Sequence, residues 1–282
     1  MRKLLKPALI ALLLLACAAL LGLYPYRDAL LPQTADLSAA EQRLAPHLSL
    51  FTPQGNGPFP TVMVFHGCSG QSPLFMRNVK AWLLPAGYAV MFVDSHAARG
   101  IKDWRPVCDG KRLWGNERAV DVYAALALAR QNPAIDSSKL ALLGYSHGGW
   151  TILDALSYDG SAGHGFPATG RGALAGVRGV IAYYPYCGFP AHLRDGLGHS
   201  APVLMFLGAK DHITDHQQCL SALDSLDGER LELVQYDNAD HVFDQRSDLN
   251  TYQPGLAQDA QRRALAFLRE NLGPPPMTWR CP

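Results

Sequence analysis

The sequence predicts an α/β protein, a mostly parallel, doubly wound sheet with helices on both faces, and three observations carry that reading. Short apolar runs recur at Thr61–Phe65, Tyr88–Val93, Leu140–Leu143, Val177–Tyr184 and Pro202–Leu207, each the length of a buried strand, and Leu231–Tyr236 is strand-like. Helix-compatible segments separate most of them, as parallel strands require. The third observation is Gly144-Tyr145-Ser146-His147-Gly148, a G-x-S-x-G pattern that follows one apolar run directly and opens a helical one. A chain of 282 residues that is 48% hydrophobic buries one large core, and the pattern fills it without a second domain. A formal net charge of +1 supplies no basic field for nucleic acid.

The N-terminus carries Arg2, Lys3 and Lys6 ahead of the uncharged Ala8–Leu23. Residues 1–26 therefore read as a targeting segment in one of three forms. Ala16-Cys17-Ala18 fits a signal-peptide cleavage site, and Leu14-Leu15-Ala16-Cys17 fits a lipoprotein signal. The apolar run also fits a signal anchor, although it is shorter than the roughly 20 residues of a spanning helix. Each form puts the globular part outside the cytoplasm, in the periplasm or another extracytoplasmic space, and membrane contact is expected through this segment alone. Residues 27–46 read as a spacer, 47–273 as the folded domain and 274–282 as a Pro-rich tail.

Within the domain, Leu48–Phe51 alternates as a strand, and a Gly/Pro-rich turn leads to Thr61–Phe65, which ends at His66-Gly67-Cys68-Ser69-Gly70. Helical patterns cover Leu74–Pro85, Asn116–Arg130 (amphipathic), the segment from Trp150 to Leu156, His216–Leu226 and Pro254–Leu272. Parallel strands in this order gather their sites at the carboxyl ends.

A serine raised on a tight strand-to-helix turn needs small neighbours, which Gly144 and Gly148 supply. The same turn leaves the backbone N–H of His147 at a helix start, aimed where an oxyanion would form. A serine hydroxyl is a poor nucleophile at neutral pH and needs a neutral imidazole, held in turn by a carboxylate. The α/β-hydrolase order is serine, acid, histidine. Asp211 directly follows the strand Pro202–Leu207 and its Gly208 turn, and His241 follows Leu231–Tyr236. Asp215 and Asp240 are the competing acids, one four residues further on and the other adjoining the histidine. The second oxyanion donor is expected at the N–H of Cys68, with His66 bracing its loop.

Arg99 lies in a loop after a strand, where it would border the pocket and meet a substrate carboxylate. Glu117 and Arg118 at a helix start read as a structural ion pair. His212 and His216 with Asp211 and Asp215 flank a helix start rather than share a face, so no metal is expected, and no cofactor. Among the cysteines, Cys187 with Cys219 and Cys68 with Cys108 lie at the same sheet edge and are candidates for bridges in an oxidising compartment.

On His66-Gly67-Cys68-Ser69-Gly70, Asn116-Glu117-Arg118-Ala119-Val120-Asp121, Gly144-Tyr145-Ser146-His147-Gly148-Gly149, Asp211 and Ala239-Asp240-His241-Val242-Phe243, the chain resembles the dienelactone hydrolase family of the α/β-hydrolase fold, over about His47 to Leu272. The resemblance implies Ser146 as nucleophile, His241 as base, Asp211 as acid, and an oxyanion hole at Cys68 and His147. The chain departs from the founding enzymes in carrying Ser146 for their cysteine and Gly67 for a glutamate of the oxyanion loop. It is therefore expected to be an exported serine hydrolase acting on small carboxylic esters or lactones. Competing expectations are an acylaminoacyl-type peptidase and a non-catalytic, membrane-tethered binding protein on the same fold. The oligomeric state does not follow from the sequence.

Overall fold

Seven strands line up in the order β1-β3-β2-β4-β5-β6-β7. They are β1 (Leu48–Phe51), β2 (Phe59–Phe65), β3 (Ala89–Val93), β4 (Ile135–Tyr145), β5 (Val177–Tyr183), β6 (Val203–Gly208) and β7 (Leu231–Tyr236). Only β1 runs antiparallel, against β3; every other neighbouring pair is parallel. The structure is a computed structural model and describes residues 2–24, 36–158, 172–224, 226 and 230–273. The Pro-rich tail, residues 274–282, and residues 159–171 lie outside the described residues.

The helices are α1 (Arg2–Leu23), α2 (Leu37–Leu44), α3 (Pro73–Leu83), α4 (Val120–Arg130), α5 (His147–Tyr158), α6 (His216–Leu223) and α7 (Pro254–Leu272), with helical turns at Arg105–Cys108 and Gly115–Arg118. Successive strand residues point to opposite faces, and both faces are covered. Met63, Phe65, Leu140, Leu142, Val180 and Met205 pack with α2, α4 and α5. Val62, Val64, Ala141, Leu143, Ile181 and Leu204 pack with α3 and α7. Burial on both sides explains why β2 to β6 read as continuous apolar runs rather than alternating ones.

Two expectations need correction. The folded part begins before His47: Asp36 caps α2 by accepting the N–H of Ala39, and Ala40 and Leu44 are buried against the core. The spacer is thus shorter than 27–46. The helix expected over Asn116–Arg130 is in two pieces divided at Ala119, and α4 is not amphipathic. Val120 through Leu126 are all buried, because α2 packs over a face that would otherwise meet solvent. No helix among the described residues is long and apolar enough to cross a membrane.

Candidate active site

Register places the site. Phe65 of β2 pairs with Gly144 of β4, so the His66-Gly67-Cys68 loop and the Tyr145-Ser146-His147 turn leave the sheet side by side. Tyr145 pairs with Tyr183, which brings Tyr184 to the same edge, and Gly208 pairs with Tyr236, so the loops bearing Asp211 and His241 rise together.

Ser146 sits in left-handed backbone at φ 52°, with its N–H donated to the Tyr183 carbonyl at 2.8 Å. The flanking glycines are required by close approach. A Cβ at Gly148 would lie 2.2 Å from the Phe65 carbonyl oxygen, and one at Gly144 would lie 2.5 Å from that of Gly148. The backbone strain extends round the site. Among the described residues the non-glycine positions with positive φ are Leu113, Ser146, Tyr184 and Val242. Leu113 offers its carbonyl to His147, Tyr184 packs its ring 4.6 Å from that of His241, and Val242 follows His241. Such conformations cost about 1–3 kcal/mol each and cluster where geometry is imposed.

The Ser146 hydroxyl lies 2.9 Å from His241 Nε2, and His241 Nδ1 lies 2.6 Å from Asp211 Oδ2. A carboxylate only accepts, so Nδ1 carries the ring proton and Nε2 is left to accept from the serine. Asp211 is anchored further by the N–H groups of Ile213 (2.9 Å) and Thr214 (2.8 Å) and the Thr214 hydroxyl (2.9 Å). Burial by itself would raise the Asp211 carboxyl. The hydrogen bonds from His241, Thr214 and Ile213 outweigh it and hold the group below its ordinary range. The competing acids are engaged elsewhere. Asp215 caps α6 through the Gln217 N–H, and Asp240 accepts from the N–H and Nδ1 of His212.

The loop of Cys68 passes beside the elbow. A Cβ built on Gly67 would meet Ser146 Cβ at 3.6 Å, an ordinary contact. Cys68 is bonded to Cys108, which fastens this loop to the helical turn Arg105–Cys108, and Cys187 is bonded to Cys219 of α6. His66 is fully buried with Nδ1 2.7 Å from the Gly67 carbonyl, and burial holds its pKa well below the ordinary value.

Arg99 is not brought to this cluster. Its Nη1 and Nη2 form a fork on the buried carboxylate of Asp121, at 2.6 and 2.8 Å, so the guanidinium is already matched and the substrate role expected for it is corrected. Glu117 and Arg118 also part company. Glu117 accepts the Trp114 N–H at 2.6 Å, while Arg118 turns inward and is fully buried. Among the described residues no group of His, Cys, Asp and Glu side chains could hold a metal ion.

A mostly parallel sheet carrying a left-handed serine, a histidine and a carboxylate in one hydrogen-bonded line at its carboxyl edge defines the α/β-hydrolase fold. The chain belongs to the dienelactone hydrolase family, whose sequence model matches residues 48–272. It is a serine hydrolase of the carboxylic-ester class. Similar solved structures include esterase 2 of Thermogutta terrifontis phosphorylated by paraoxon. That likeness is 20% identical, covers 82% of this chain and 90% of that one, and has a TM-score of 0.62. The same esterase with propionate bound is 18% identical, with 82% and 91% covered and a TM-score of 0.61. A dienelactone hydrolase-like protein of Klebsiella pneumoniae is 18% identical over 79% of this chain and 99% of its own, with a TM-score of 0.61. No curated relative matches the chain.

Proposed function

We propose that the chain is an exported hydrolase that cleaves small carboxylic esters or lactones through an acyl-enzyme on Ser146. The observation that carries this reading is the unbroken line from Ser146 Oγ through His241 to Asp211. In the proposed cycle Ser146 Oγ attacks the ester carbonyl as its proton passes to His241 Nε2, and Asp211 stabilises the imidazolium. The oxyanion is held by the N–H groups of Cys68 and His147. The intermediate collapses, His241 returns the proton to the leaving alkoxide, and a water activated by His241 releases the acid.

Small acyl groups are favoured by analogy with the Thermogutta esterase, which is described with propionate and with butyrate bound. Gly67 has no side chain to gate the nucleophile, so turnover requires no activating group on the substrate. Export is supported by the basic and apolar start of the chain and by two disulfides, which persist in oxidising compartments. Membrane attachment through the N-terminal segment belongs to the same proposal.

The test uses p-nitrophenyl acetate and butyrate beside a carboxylate-bearing lactone, with and without iodoacetamide. The simple esters turn over and alkylation leaves the rate unchanged. Turnover of the lactone alone would contradict the reading.

A further inference from the structure

Arg118 is the largest fully buried side chain among the described residues, with no exposed surface. Among the described residues no carboxylate lies within ion-pair distance of it: Glu117, its neighbour in sequence, accepts the Trp114 N–H, and Asp121 is matched by Arg99 and approached by Arg43. Burial draws its pKa down to about 9 against the pull of Asp121, which leaves the guanidinium charged at neutral pH. A buried cation without a carboxylate is expensive, so its neutral partners matter.

Those partners come from three separate segments at the catalytic edge: the loops after β2 and β3 and the first residue of α5. Nη1 donates to the His66 carbonyl at 2.8 Å and lies 3.2 Å from His147 Nδ1, and Nε donates to Ser95 Oγ at 2.8 Å. His147 Nε2 is 2.7 Å from the Leu113 carbonyl, which only accepts, so Nε2 carries the proton and Nδ1 is the acceptor that Arg118 needs. Burial, reinforced by the Arg118 charge, holds the His147 pKa at about 3, so the ring is neutral. One guanidinium thus grips the residue two before Cys68 and the side chain of His147 itself. These are the two segments whose N–H groups form the hole under the function proposed above.

We propose that Arg118 is a positioning residue for the oxyanion hole, fixing the two donor segments against each other and placing a buried positive charge behind them. The inference rests on the proposed reading of Ser146 and its hole. Hole donors act on charge that develops only in the transition state. Loss of Arg118 therefore lowers kcat and the affinity for a tetrahedral analogue together, and leaves KM largely alone.

The experiment compares wild type, Arg118→Met and Arg118→Lys on p-nitrophenyl butyrate, with phenylboronic acid as the tetrahedral analogue and a thermal melt for each protein. Arg118→Met loses about 100-fold in kcat and a similar factor in boronate affinity, with KM within about threefold. Arg118→Lys recovers less than about tenfold of that loss, because one ammonium cannot hold the His66 carbonyl, Ser95 Oγ and His147 Nδ1 at once. Should Arg118→Met not fold, His147→Phe cuts the tie from the other side and shows the same paired loss. A folded variant with near-native kcat, or one that loses kcat while binding boronate normally, overturns the inference. A wild type that neither hydrolyses the ester nor binds boronate overturns the functional reading and the inference with it. A working wild type matched by its variants overturns the inference alone.

Discussion

Thr214 donates twice to Asp211, once from its N–H at 2.8 Å and once from its hydroxyl at 2.9 Å, so the carboxylate that faces His241 is fixed from behind by its own loop. This relationship separates Asp211 from its acidic neighbours. Asp211→Asn loses about 10⁴-fold in kcat, because an amide favours the wrong imidazole tautomer. Thr214→Val, which removes the hydroxyl and keeps the N–H, loses about tenfold. Asp215→Asn stays close to wild type, since Asp215 only caps α6 and asparagine caps nearly as well. Steady-state kinetics on one ester rank the three variants, and a severe loss at Asp215 with a mild one at Asp211 would reverse the assignment.

The two disulfides make different predictions. Cys187–Cys219 ties the segment after β5 to α6 and carries none of the groups assigned to the reaction, so Cys187→Ser with Cys219→Ser lowers stability by about 2–4 kcal/mol and leaves kcat near native. Cys68–Cys108 fastens the loop that carries a proposed hole donor. Cys68→Ser with Cys108→Ser keeps the backbone N–H but frees the loop, and kcat falls about tenfold below the melting transition. Melts and kinetics on both pairs check the contrast. Equal loss of kcat in the two would remove Cys68–Cys108 from any special role.

Asp244 is buried three residues after His241, accepting the Tyr184 hydroxyl at 2.7 Å and the Gln245 amide at 2.7 Å. Burial pushes its carboxyl up to about 6 despite those bonds. In the unfolded chain the group gives up its proton near 3.8, so between that value and about 6 the folded state binds more protons than the unfolded one. Its contribution to stability therefore falls as pH rises through that window and is level above it. Asp244→Asn removes the titration, and the melting temperature of the variant minus that of wild type rises from pH 4 to about pH 7. A flat difference would show that Asp244 ionises as it does in water.

Gly67 and Gly148 flank the same serine with opposite tolerance. Gly67→Ala folds and turns over esters at near-native rates, since its Cβ makes only ordinary contact. Gly67→Glu places a carboxylate beside the forming oxyanion and loses about 10-fold or more in kcat. Gly148→Ala drives a Cβ into the Phe65 carbonyl and yields little folded protein. Expression, circular dichroism and kinetics distinguish the three, and a silent Gly148→Ala would refute the elbow packing.

The parts of the fold legible in the sequence are those where one local signal decides. Buried parallel strands are apolar on both faces, and Ala89–Val93, buried throughout, falls within the run expected over Tyr88–Val93. The elbow is legible because backbone crowding demands glycine on both sides of Ser146. What the sequence hid depends on distant partners. Leu37–Leu44 is a polar stretch whose two buried residues gain meaning only when it lies on α4. Arg99 stands where a substrate ligand would, until Asp121 reaches it from a later helix. Arg118 has the charge of a surface residue, and its inward turn is set by His66, Ser95 and His147, each from a different segment of the chain.

The central claim is that Ser146 is acylated with the help of His241, and one labelling experiment reads it directly. Wild type, Ser146→Ala and His241→Ala are treated with a labelled fluorophosphonate, digested and mapped by mass spectrometry, with ester turnover measured in parallel. Wild type is modified once, on the peptide carrying Ser146. Ser146→Ala takes no label and loses on the order of 10⁶-fold in kcat, while His241→Ala labels far more slowly and loses about as much. Label on another residue, or ester turnover in Ser146→Ala comparable with wild type, would contradict the account.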